Sequence, residues 1–147
     1  MIEYLLAFFG SFFAAILFNV SKKNLLWAGF SGMAGWIAYD CFFSQTGNTA
    51  MATFAGAIAV GVFSEFMARK IKVPATIFSV SGIFPIVPGI SAYNTVQAIV
   101  ENNLAIAGAK AVETITGAGA LAFGIMTVTA VFRVFSKKNK LFWHASK

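Results

Sequence analysis

Long apolar stretches alternate with short polar or basic connectors along the chain, and their lengths set the first expectation. A helix needs about 20 predominantly apolar residues to cross about 30 Å of hydrocarbon. On that measure the pattern predicts spans at Tyr4 to Val20, Leu25 to Phe43, Ala50 to Ala68, Pro74 to Val100 and Ile115 to Phe135. The first three connectors are Ser21 to Asn24, Ser44 to Thr49 and Arg69 to Val73. A longer piece, Glu101 to Thr114, is alanine-rich but too polar for a sixth span. It reads as an external amphipathic extension of the last helix, with Lys110 and Glu113 three apart and supporting each other. The predicted fold class is therefore all-α, a polytopic membrane helical bundle of about five transmembrane helices. A single transmembrane domain over 1–136 is followed by a basic cytoplasmic tail, 137–147. In that tail Phe142 and Trp143 lie among lysines, as in an amphipathic surface anchor or a disordered extension.

Composition removes the soluble alternative. The 147 residues are 59% hydrophobic and 11% charged, against about 25% charged in soluble proteins. Five carboxylates and eleven basic residues cannot cover a water-soluble globule. The net charge of +6 comes in short runs between apolar spans, which is a topology signal and excludes a nucleic-acid face. Lysine and arginine collect on the cytoplasmic side of membrane helices. With the N-terminus outside and the C-terminus inside, ten of the eleven basic residues face the cytoplasm and only Lys110 does not. The expected location is the cell membrane. Lys22 and Lys23 follow the first apolar run instead of preceding it, so that run does not read as a cleavable signal peptide.

The fourth span is unusual. Twenty-seven residues of helix would be roughly 40 Å long. Its middle reads Ser81-Gly82-Ile83-Phe84-Pro85-Ile86-Val87-Pro88-Gly89-Ile90-Ser91-Ala92-Tyr93-Asn94-Thr95. Pro85 and Pro88 remove two backbone donors and Gly89 adds freedom, so the helix is predicted to break near residue 87, at the Pro-x-x-Pro-Gly motif. Broken backbone at membrane depth is tolerated only where it is buried in protein or lines a watery cavity. A half-helix starting near Pro88 would aim the free amides of Ile90, Ser91 and Ala92 at that cavity, and its positive end favours a carboxylate or phosphate. Secondary transporters hold substrate at discontinuous helices of this kind. The plainer reading is a proline kink whose freed carbonyls are met by neighbouring helices. The substrate-binding candidates are Pro85, Pro88, Gly89, Ile90, Ser91, Tyr93 and Asn94.

Elsewhere, polar chemistry is sparse. Asp40 lies near the external end of its span and is a candidate for proton or cation coupling; Glu65, four residues before Arg69, is a weaker one that an ordinary ion pair explains. Gly29, Gly32 and Gly35, the pairs Ala52/Gly56 and Ala57/Gly61, and Gly117, Ala120 and Gly124 form small-residue seams that let helices approach. Phe8, Phe9, Phe12 and Phe13 read as lipid-facing. One cysteine, Cys41, allows no internal disulfide, and the one histidine, His144, lies in the tail. With no metal motif, phosphate loop or close carboxylate pair, an enzyme, a metal site and a cofactor are not expected.

The run Pro85-Ile86-Val87-Pro88-Gly89-Ile90-Ser91-Ala92-Tyr93 resembles the small integral-membrane subunit of the threonine/serine exporter family, which forms the C-terminal half of fused members. The resemblance implies a two-component exporter whose larger membrane subunit supplies the other half, with threonine and serine, or in some split members succinate, as substrate. It singles out Pro85, Pro88, Gly89, Ser91 and Tyr93. Two other functions fit the composition: a self-sufficient homo-oligomeric channel or small transporter, and a non-transporting membrane scaffold.

Overall fold

The computed structural model describes the backbone of residues 2–145 and side-chain surroundings over 2–134. The chain is all-α among the described residues. Six helices run in order: α1 Ile2–Leu17, α2 Leu25–Thr46, α3 Thr49–Ile71, α4 Thr76–Gly82, α5 Gly89–Val100 and α6 Leu104–Ala145. A short 3-10 turn, Lys22–Asn24, leads into α2. Two helices, Thr49–Ile71 and Leu104–Val134, are long and apolar enough to cross a membrane. Leu104 to Thr114, the expected extension, is continuous with the rest of α6. The reading of Phe142 and Trp143 as an anchor lies outside the residues with described side chains.

Local chemistry sets the ends. Gly47 takes the left-handed conformation (φ 62°) and its N–H closes on Phe43 O, ending α2. Asn48 then caps α3, its Oδ1 accepting from the amides of Ala50 (3.0 Å) and Met51 (3.2 Å). Two residues thus reverse the chain between α2 and α3. At the far end of α3, Lys72 is left-handed (φ 60°) and the amides of Lys72 and Val73 both return to Ala68 O. Pro74 follows, which cannot continue the helix.

α3 is the centre of the bundle, packed by α2 and α6 and touched by α4. Its buried residues are nearly all small: Ala52, Thr53, Gly56, Ala57, Val60, Gly61, Ser64, Met67 and Ala68. α2 answers with Ala28, Gly29, Ser31, Gly32 and Gly35. A Cβ on Gly124 of α6 would lie 2.6 Å from Ala57 Cβ and 3.0 Å from Phe54 O, so the backbones of α3 and α6 meet almost directly. Without a hydrophobic drive between helix and lipid, such close approach is what holds membrane helices together. Ser31 and Ser64 hydrogen-bond across α2 and α3 at 3.3 Å, fully buried.

One large side chain departs from this rule. Phe78 of α4 is fully buried against Ala15, Ala28 and Met67, near the Lys22 end of the bundle. Phe8 corrects an expectation. Phe9 and Phe13 are exposed, but the Phe8 ring covers Gly29 and meets Phe30 edge-on at 5.1 Å. The space it fills exists only because residue 29 lacks a side chain.

Candidate functional site

Between Gly82 and Gly89 the chain leaves the helix through consecutive tight turns. The amide of Ile83 donates to Ser79 O, Phe84 to Ser81 O, Ile86 and Val87 to Ile83 O, and Gly89 to Val87 O. Pro85 and Pro88 fall at the two positions with no donor to satisfy. Every N–H in the interruption is thereby paired, as backbone away from water requires. Helix α5 then begins. The amide of Ala92 closes the first turn on Pro88 O at 3.1 Å, so it is not free as expected. The amides of Ile90 and Ser91 have no backbone acceptor among the described residues.

The interruption forms one wall of a 220 Å³ cavity. Pro85 to Ser91 face Trp36 and Tyr39 of α2, Thr49 and Thr53 of α3, and Glu113 of α6. This is below the roughly 300–1,000 Å³ of pockets for drug-sized ligands, a size for a small metabolite. Its polar groups come from four helices. Ser91 Oγ donates to Glu113 Oε1 at 2.8 Å, and Lys110 Nζ donates to Glu113 Oε2 at 2.8 Å. Trp36 stacks on Tyr39 with ring centroids 5.2 Å apart, and its Nε1 is buried with no hydrogen-bond partner among the described residues. An orphaned buried donor at a cavity wall invites an acceptor.

Of the residues singled out in the sequence, Pro85, Pro88, Gly89, Ile90 and Ser91 line this cavity. Tyr93 and Asn94 lie one turn further along α5 and are not among its lining residues; Tyr93 is exposed. Asp40 is elsewhere, accepting a hydrogen bond from Tyr4 Oη at 2.8 Å where the start of α1 meets the end of α2. Glu65 sits 3.7 Å from Arg69, whose guanidinium also donates to Phe132 O at 3.0 Å and stacks over that ring. Sequence reasoning did not place Glu113, Trp36, Tyr39, Thr49 or Thr53 at the site. Glu113 had a signal: its neighbour Lys110 is the one basic residue that breaks the charge asymmetry.

A larger groove of 610 Å³ lies between α2, α3 and α6, but its walls are Phe42, Met51, Phe54, Ile58 and Phe123 with little polar surface. It suits an acyl chain or another helix and carries no chemistry. No group of three or more His, Cys, Asp or Glu among the described residues could hold a metal ion.

No solved structure matches the chain. Residues 3–131 match the family described as Threonine/Serine exporter, ThrE, so this helical membrane protein belongs to that family of transporters and not to the enzymes.

Proposed function

We propose that the chain is the small membrane subunit of a two-part secondary exporter for small carboxylate-bearing metabolites, with threonine and serine first among them. The observation that carries this reading is the polar cavity at the α4–α5 interruption, in a bundle whose other interior surfaces are almost wholly apolar or small. Unpaired amides at a helix start, an orphaned indole donor and a carboxylate from a facing helix form the kind of site that binds a small polar solute.

In this reading the chain crosses the cell membrane five times, with α4 and α5 together making the fourth crossing. The N-terminus is outside and Lys22, Lys23, Arg69, Lys70 and Lys72 face the cytoplasm. The cavity then lies in the outer half, because Thr49 and Thr53 begin α3 and Tyr39 is near the end of α2. The larger subunit of the family completes the path. Asp40, held by Tyr4 near the outer end, is the candidate for ion coupling; Glu65 is committed to Arg69.

The test is efflux of labelled threonine, serine and succinate from cells lacking their own exporters. Each is measured with this chain alone, the larger subunit alone, and both. Efflux of threonine or serine only with both supports the proposal. Efflux of succinate alone would replace the substrate; efflux from this chain alone would favour a homo-oligomer; none in any combination would favour a scaffold.

A further inference from the structure

We infer that Glu113 is the specificity-determining carboxylate of the cavity: it takes the ammonium of a zwitterionic amino acid, and Lys110 is the resident ammonium that the ligand displaces. The inference rests on the exporter reading above and names the residue that selects among its substrates.

Glu113 is the one carboxylate among the residues lining the cavity, and it is held from two sides. Oε1 accepts the Ser91 hydroxyl at the start of α5, and Oε2 accepts the Lys110 ammonium from one turn earlier on α6. Lys110 does not itself line the cavity. The pair is open, with the two side chains 38% and 35% exposed. Ion pairs of that exposure contribute little net stability, so a second ammonium can take the place of the first at small cost. The structure thus already shows an ammonium on the oxygen that a ligand would use.

The other end of the ligand finds donors. The Ile90 and Ser91 amides and the buried Trp36 Nε1 have no acceptors among the described residues, and all three residues line the same 220 Å³. Donors for a carboxylate and a carboxylate for an ammonium within one small cavity fit an α-amino acid. A dicarboxylate could satisfy the donors, but its second carboxylate would meet Glu113, a like-charge encounter that selects against it. Glu113 also compensates the positive end of α5, which lowers the pull of that helix start on a simple anion.

The test is counterflow of labelled threonine into vesicles reconstituted with this chain and the larger subunit. Glu113→Gln is expected to raise the half-saturating threonine concentration at least about tenfold, the scale of one lost hydrogen bond to a charged group. Glu113→Asp should restore part of it. Transport of 3-hydroxybutyrate, which has the carboxylate and hydroxyl but no amine, should not worsen in Glu113→Gln. Lys110→Met is expected to shift threonine the other way, to lower half-saturation, because the resident competitor is gone. A purely structural ion pair would make the Glu113→Gln and Lys110→Met shifts share a sign, and that result overturns the inference. So does an unchanged half-saturation in Glu113→Gln, or succinate outcompeting threonine in the unaltered protein. If Glu113→Gln fails to accumulate, Lys110→Met decides alone: a fall supports the inference, and a rise or no change overturns it. No transport by the unaltered pair removes the exporter reading itself, and this inference with it. Normal threonine transport by Glu113→Gln removes only the inference.

Discussion

Around Phe78, where α4 meets α1, α2 and α3, four side chains are at most 6% exposed; along the whole of α5 only Ala98 is buried. The frame that holds the first region is packed tightly at Gly29, Gly32, Gly35, Gly56 and Gly82, where added Cβ atoms would run into neighbouring side chains or backbone. The second leans mainly on α6 and leaves Ile90, Tyr93, Val96 and Val100 exposed. Its one side-chain hydrogen bond to another helix among the described residues runs from Ser91 to Glu113. One half of the molecule is a packed frame, and the other is an element that leans on α6 and is tied to it by one hydrogen bond at the cavity. Elements with few buried contacts open at low free energy, so the difference separates what must stay fixed from what is able to move.

The largest effect should come from overfilling the frame. A Cβ at position 35 already lies 2.7 Å from Ile86 Cδ1, so Gly35→Leu is expected to separate α2 from α3 and push on the interruption. The cost is about 1–3 kcal/mol or more, read as a lower melting temperature in detergent and reduced membrane abundance. Normal melting would mean that the frame is softer than its seams imply. Next, Ser91→Ala removes the tie between α5 and α6. Abundance and melting should hold, while hydrogen exchange in α5 rises and transport falls several-fold. Exchange confined to the frame instead would invert the comparison.

Smaller effects sharpen it further. Ser64→Ala deletes the buried bond to Ser31 and is expected to lower stability by about 0.6 kcal/mol, the mean for hydrogen bonds between membrane helices. Transport per folded copy should be unchanged. Asp40→Asn should leave melting unaltered and weaken the response of efflux to an imposed proton gradient. An identical gradient response would remove Asp40 from coupling.

What the sequence reveals follows the range of each interaction. The seams on α2 and α3 are legible because small residues at helical spacing mark one face without knowledge of the partner. A proline's missing donor is equally local, so the run Pro85 to Gly89 stands out wherever it occurs. Glu113 escapes because its bond to Ser91 spans 22 residues and the turn between two helices, whereas the pair with Lys110, three residues away, already accounts for its charge. Trp36 carries no signal in the sequence, because what marks it is the enclosure of its indole nitrogen by other helices. Phe8 is misread for the complementary reason: nothing within α1 announces a gap at Gly29 on another helix. Ala92 is misassigned by a single position, because which amide closes the first turn of α5 depends on where the preceding turns release the chain.

Helix α6 spans both regimes. Its N-terminal portion carries Lys110, Glu113 and Gly117 alongside α5 and Pro88, and further along the same rod Gly124 and Val128 bear on Ala57 and Gly61 of α3. No proline interrupts it, so the commonest cause of a sharp kink is missing from the rod. A tilt imposed at the cavity would reach the far part of the helix as leverage. With Gly124 set against the backbone of α3 as fulcrum, a swing of the arm beside α5 in one direction would displace Phe132 and its Arg69 latch in the other.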